Sequence, residues 1–475
     1  MASAQSYRPT ERSHGSSRNV LRRFADGGIV WWLIIAMLAV GALLGGASRE
    51  DSLAQPAIRL VMPLLLAGIV LTGKPFIWRD LRAPLLLLGL LVIVMVAMLI
   101  PLPPQVWTSL PGRDLITPAA PLSGLPQVWR PWAISPPLAE NALFALIPPG
   151  CVLIGAGFLS SERRASLALP FLVLIIASAI LGVMQLAGGA GGVLRWYAVT
   201  NPEAGVGFFA NRNHQALLLA MGLPLLGFWA LREGAPRENR SMRLWIAGFG
   251  AILLIVAMLT SGSRAGLIVG VLALFGTATI HAATAARLLR RLRPMVRWMI
   301  ILGFAGAVAI LAALLFVSPR AQSITRLFGL DPAADLRVTA LPTMLDIAAT
   351  FFPAGTGFGG FEPVFRAAEP FDLLSRSYVN EAHNDLLQIV IEGGAAGLIV
   401  LALALMWLAK TAWCLVQAPD GLDDATQLGR TGLLIVLMIG AASMVDYPVR
   451  TPLIMISLVL ACTWITLPSS RRRAA

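Results

Sequence analysis

The chain reads as an all-α polytopic membrane protein of about 12 transmembrane helices, with a long outward loop between helices 9 and 10. Three observations lead there. Of its 475 residues 57% are hydrophobic and only 13% charged, and the mean hydropathy is +0.76, outside the range of soluble globular chains. Apolar runs of roughly 17 to 25 residues, long enough to cross a bilayer as helices, recur along most of the length. The basic residues concentrate in alternate connecting segments.

The apolar runs lie near residues 28–47, 57–73, 83–101, 140–159, 166–187, 214–231, 244–260, 265–283, 298–317, 386–409, 431–446 and 452–467. With the N-terminus inside, the cytoplasmic segments carry 24 of the 37 basic residues. The other face carries 13, five of them in the long loop 318–384, where charge does not govern translocation. This asymmetry orients every helix and places 318–384 outside. The divisions that follow are a polar, arginine-rich and disordered tail at 1–27, five helices within 28–200, a second membrane unit at 201–467 that includes the loop, and a cytoplasmic tail at 468–475. The "GGAS" after the first run loosely mimics a signal-peptidase site. That run is longer than the apolar core of a cleaved signal, so it is expected to remain as the first spanning helix.

The net charge of +13 does not imply nucleic acid, because the arginines are scattered among loops and form no single face. Only Lys74 and Lys410 are lysine. The three cysteines, Cys151, Cys414 and Cys462, fall inside apolar runs and are expected to pack without pairing. The outward segment 102–139 is rich in Pro and Trp, and its tryptophans are expected at the membrane interface.

Nearly every unusual polar residue falls on the outward side. Arg264 occupies the tight turn "TSGSRAG", where Gly and Ser would suffice, and an ionisable residue at membrane depth is costly and usually functional. The competing reading is an arginine snorkelling to phospholipid head groups. Arg212 and His214 open helix six in "ANRNHQA", where free N–H groups favour an anion, and Asn211 or Asn213 can cap that helix. His383, beside Asn384 and Asp385 in "EAHND", starts helix ten, where an imidazole near neutrality can take a proton from a hydroxyl. Glu392 lies two turns farther along that helix and needs a partner, an arginine or a proton. Behind it Gly393, Gly394 and Gly397 read as a close helix-packing surface. Arg337 in "LRVTALPTML", with Asp446 and Arg450 in "VDYPVRTP", complete the set.

"GFFANRNHQALLL", "SGSRAGLIVGVLAL", an arginine followed by "GTGFGGF", then "AHNDLLQIVIEGGAAGL" and "VDYPVRTP" occur in the order seen in bacterial O-antigen ligase and Wzy-type polymerase membrane proteins. The resemblance covers roughly residues 200 to 460. It implies a glycosyltransferase of the bacterial inner membrane that moves a glycan from a polyprenyl diphosphate carrier to a hydroxyl acceptor on the periplasmic side, with inversion. It also implies that Arg212 and Arg264, and more weakly Arg337, are functional arginines and that His383 is the functional histidine. His214, Asn384, Glu392, Asp446 and Arg450 are expected around the substrate.

The chemistry of the residues agrees. A leaving diphosphate must be stabilised by metal or by fixed cations. No Asp-x-Asp pair occurs in any outward loop, and paired aspartates appear only in cytoplasmic "DGLDDA". The expectation is therefore no metal and no cofactor, with arginine forks holding the phosphates. The expected partners are the carrier-linked glycan donor, a glycan or lipid A-core acceptor, and membrane lipids. O-antigen ligase is the first reading and polymerase or protein O-glycosylating ligase the second. A twelve-helix transporter or flippase is the rival of another class. It would place ionisable groups or broken helices near the midplane.

Overall fold

The structure is a computed structural model that describes residues 28–49, 52–189, 191–232, 239–290, separate positions between 294 and 306, 336–374, 379–418 and 423–467. Both tails, most of the expected ninth helix and the first part of the long loop lie outside the described residues. Within them, the only strands are a two-residue antiparallel ladder that pairs Pro101–Leu102 with Arg130–Pro131.

Among the described residues, six helices can cross a membrane by length and composition: Pro136–Ala156, Ser161–Ala187, Arg212–Leu231, Arg240–Ser261, Asp385–Val416 and Asp424–Ser443. Shorter apolar helices, among them Gly28–Leu44, Ala54–Val70, Arg82–Ala97, Arg264–Ile280 and Pro452–Ile465, pack with them. The chain is a multi-pass membrane protein. Every expected run overlaps a helix among the described residues; of the ninth only Trp298, Leu302, Gly303, Ala305 and Gly306 are described, and all are helical.

The Arg212–Leu231 helix is the central post. Its apolar window is 83% buried, against 22% for Arg240–Ser261, and it packs on Ala168–Ala187, Arg240–Ser261, Arg264–Ile280 and Asp424–Ser443. A helix that is apolar all round belongs at such a centre. The bundle has two distinct ends. At one, Ala210 N–H donates to Gly46 O (3.0 Å) and Leu453 N–H to Gly45 O (2.9 Å). At the other, Trp31 Nε1–H reaches Ser166 Oγ (2.9 Å) and Trp464 Nε1–H reaches Arg164 O (3.1 Å). The first is called the site end below.

The Asp385–Val416 helix is broken at Gly394, which adopts φ 53° and ψ −141°. Backbone groups freed inside a bilayer must be satisfied by protein. Here the segment Pro353–Gly357 satisfies them: Thr356 N–H donates to Ile391 O (2.9 Å), Gly357 N–H to Glu392 O (3.0 Å), and Ala395 N–H to Pro353 O (2.9 Å). The glycines expected to form a helix–helix surface thus serve a different close approach. Gly394 is the break, and Gly393 and Gly397 lie against the Phe358 ring.

The 102–139 segment covers this patch. Arg113 Nη2 donates to Trp132 O (2.6 Å) and Gly355 O (3.2 Å), Trp132 Nε1–H to Ala354 O (3.0 Å), and Ile134 N–H to Thr356 O (2.9 Å). Arg113 is buried at 1% exposure, and burial pulls its pKa down to about 10. Trp107, expected at the membrane interface, is instead buried with its Nε1–H on Val128 O (2.9 Å), because a ring inside the folded segment still needs a partner for its donor. Trp129 is exposed. Of the long loop, the described part carries short helices, Leu341–Phe351 and Phe361–Ala368 among them. Met344, Phe351, Phe361 and Phe365 form a small core there with Ile391 of the broken helix. All three cysteines are free. Cys151 is buried as expected, but Cys414 is exposed on the outer face of its helix.

Candidate functional site

Three helix starts at the site end are each capped by a local polar side chain. Asn211 caps the Arg212–Leu231 helix by accepting from Asn213 N–H (2.8 Å). Arg212 is that helix's first residue, exposed, with its N–H on Asn201 Oδ1 (2.9 Å). The turn into the Arg264–Ile280 helix passes through Gly262 at φ 64°, a left-handed conformation that closes the preceding helix. Ser263 then caps the next helix by accepting from Gly266 N–H (2.9 Å). Arg264 is its first residue and is half-buried. The Arg212 guanidinium lies beside this turn, since a Cβ on Gly262 would stand 3.9 Å from Arg212 Nη1. The two arginines named from the sequence therefore begin neighbouring helices, where the positive end of each helix dipole adds to their charge.

Asn213 joins the turn to a second cluster. Its Oδ1 accepts from Ser263 Oγ–H (2.8 Å), and its Nδ2 donates to Asp446 Oδ2 (2.6 Å). The other oxygen of Asp446 lies 3.3 Å from His383 Nδ1. Asp446 is 2% exposed while the His383 side chain is 25% exposed, so the carboxylate is enclosed and the imidazole open. Burial pushes the Asp446 pKa up, but the hydrogen bonds from His383 and Asn213 outweigh it and hold the carboxyl well below its usual range. Tyr447 places its ring edge-on to both histidines, 4.8 Å from His383 and 5.5 Å from His214 between centroids. His214 is itself 2% exposed, with Nδ1 2.9 Å from Thr451 Oγ1. It is inside the protein, behind the open His383 imidazole.

His383 has φ 50°, a left-handed value for a non-glycine residue. Its neighbours hold it there. Ala382 N–H donates to Gln388 Oε1 (3.0 Å), and Asn384 Oδ1 accepts from Leu387 N–H (3.0 Å) as the cap of the broken helix. Asn384 is thus in use as a cap.

A third cluster lies deeper. Arg450 Nη2 donates to Glu392 Oε2 (2.8 Å), and its Nε is 3.8 Å from Asp385 Oδ1. Glu392 Oε1 also accepts from Phe361 N–H (3.4 Å) and Gln388 Nε2 (3.2 Å), while Gln388 Nε2 reaches Glu381 as well. Burial works to lower the Arg450 pKa, but Glu392, Glu381 and Asp385 together keep it above the ordinary value. Arg450 and Glu392, expected near the substrate, are placed in contact with each other. Arg337 belongs to the short helix Leu336–Thr339, and its side chain lies outside the described residues.

Sequence reasoning did not identify the bridging role of Asn213 or the clamping role of Gln388. In "NRNH" one asparagine suffices as the cap, which leaves the second free to bridge, and that is the available signal. Gln388 carries a weaker one, a buried amide one turn before Glu392.

A family model described as O-antigen ligase matches residues 249–402. It is the family whose motifs the chain resembles. The matched stretch includes Arg264, His383, Asn384 and Glu392, and ends before Asp446 and Arg450. No curated protein matches the chain.

Proposed function

We propose that this chain is a glycosyltransferase of the O-antigen ligase kind, acting at the periplasmic face of the bacterial inner membrane. It moves a glycan from a polyprenyl diphosphate carrier to a hydroxyl of a lipid A-core acceptor. The family match supports a ligase- or polymerase-like glycosyltransferase in general. The observation that supports the specific scheme is the open His383 imidazole backed by enclosed Asp446, at the end of the bundle where Arg212 and Arg264 begin their helices.

In this scheme Asp446 accepts a hydrogen bond from His383 Nδ1–H, which leaves Nε2 free to act as base. The acceptor hydroxyl gives its proton to Nε2 as its oxygen bonds to the anomeric carbon from the face opposite the diphosphate. The bond from that carbon to the diphosphate oxygen breaks, configuration inverts, and the carrier diphosphate leaves with one more negative charge. Arg212, Arg264 and the helix N-termini around them stabilise that charge. Arg450 is paired to carboxylates, so it orients the His383 segment through Glu392 and Gln388. A broken helix is also a transporter feature. Here the chain's own Pro353–Gly357 segment fills the break, which argues against a cargo site there.

The test is complementation of a deletion strain, read as lipopolysaccharide bands. Loss of the protein should leave bare core with carrier-linked polymer accumulating. Wild-type protein should restore the ladder, and His383→Gln should lower transfer by about a hundredfold or more while donor binding is retained. Core bearing a single repeat would make the enzyme a polymerase. Unchanged bands in the deletion strain would exclude this acceptor.

A further inference from the structure

His214 is buried, and its Nδ1 is engaged by Thr451, yet its Nε2 meets no partner among the described residues. Buried ring nitrogens are rarely left so. A small cavity lies between His214 and Asp446, bounded also by Asn213, Gly266, Val269 and Ala442. Thr451, which engages Nδ1, does not border it, whereas His214 and Asp446 do. The space open to water in it is about 10 Å³, the room that one molecule needs. Two polar side chains, one an acceptor and the other able to donate, thus border a space of this size.

We infer that this cavity holds one water molecule, which accepts a hydrogen bond from His214 Nε2–H and donates one to the Asp446 carboxylate. His214 is then a positioning residue for the Asp446–His383 pair. Thr451 Oγ–H donates to Nδ1 and so fixes the tautomer that carries the proton on Nε2. Asp446, which already takes hydrogen bonds from Asn213 and His383, gains a third donor and stays aimed at His383. The part that concerns catalysis rests on the function proposed above; the water site does not.

The test uses the full-length protein in lipid nanodiscs with ¹⁵N-labelled histidine, since the chain has only four imidazoles. The His214 signal is identified by its loss in His214→Gln. The expected spectrum shows His214 protonated at Nε2, with magnetisation passing between that proton and water. Ala442→Val, which fills the cavity, should abolish the water contact and leave the tautomer unchanged. A proton on Nδ1, or an Nε2–H with no water contact in the wild type, would overturn the inference. In the transfer assay, His214→Leu should lower turnover roughly tenfold, as the loss of one hydrogen bond of about 1.4 kcal/mol implies, with the donor KM unchanged. His214→Gln, whose amide nitrogen stands near Nε2, should recover most of it. A change confined to KM, or equal loss in both variants, would refute the positioning role. A protein with the expected spectrum and no transfer activity would keep the water site and defeat the functional reading.

Discussion

The arginines of the site end divide by their neighbours. Arg450 lies among three acidic residues and is held in the structure, whereas Arg212 and Arg264 head helices beside the turn at Gly262. If Arg264 grips two phosphate oxygens at once, a point ammonium cannot replace it. Arg264→Lys should therefore lose most transfer activity although the charge remains, measured with membranes matched for protein amount. Near-normal transfer by Arg264→Ala would end the clamp proposal. Glu381 offers a prediction in pH. Burial, with Glu392 and Asp385 nearby, pushes its pKa up from 4.5 to about 7 against the pull of Arg450. Between those values the native state holds a proton that the unfolded chain has released, so stability falls as pH rises across that window. Melting temperatures from pH 4.5 to 7.5 should decline less steeply in Glu381→Gln than in the wild type. Equal slopes would show that another group is responsible.

Among the elements, the broken helix is where sequence reasoning and structure part company. Its start was legible, because Asn384 followed by a long apolar run is a cap signal, and so was the need of Glu392 for a partner. The break was not, because "EGGAAG" serves equally for tight helix packing and for a left-handed glycine, and only the distant Pro353–Gly357 segment decides between them. Asp446 and His383 show the same limit: their residue types suggested a site, but 63 positions separate them and nothing local announces the contact. A Cβ on Gly394 would stand 2.2 Å from Pro353 O, at a φ of 53°. Gly394→Ala should accordingly destabilise the protein by about 3 kcal/mol or more, seen as a lower melting temperature and poor yield. Gly89, in the Arg82–Ala97 helix, has nothing within 4 Å of where a Cβ would lie. Gly89→Ala should melt no lower than the wild type, and a loss equal to that of Gly394→Ala would mean that helix flexibility, not the fit of the break, is being measured.

For the whole molecule, the basic residues and the helix caps argue for the same arrangement. If 24 of 37 basic residues mark the cytoplasmic side, the site end faces outward. With Cys151, Cys414 and Cys462 changed to Ser, Ala367→Cys, exposed at the end of the Phe361–Ala368 helix, should react with a membrane-impermeant thiol reagent in cells whose outer membrane alone is permeabilised. Labelling only after inner-membrane lysis would reverse the orientation and remove the periplasmic chemistry with it. The order of the chain also bears on how the protein is made. The segments that repair the break, Pro353–Gly357 and the Arg113–Ile134 stretch over it, both leave the ribosome before Gly394 does. A discontinuous helix entering the bilayer thus meets its hydrogen-bonding partners already delivered. Asp446 and Arg450 come after it, so a nascent chain arrested before residue 446 has its arginines and its histidine but not the carboxylate that orients that histidine. On the proposed mechanism such a chain should be inert toward the carrier-linked donor, with activity beginning only when the last hairpin has been inserted.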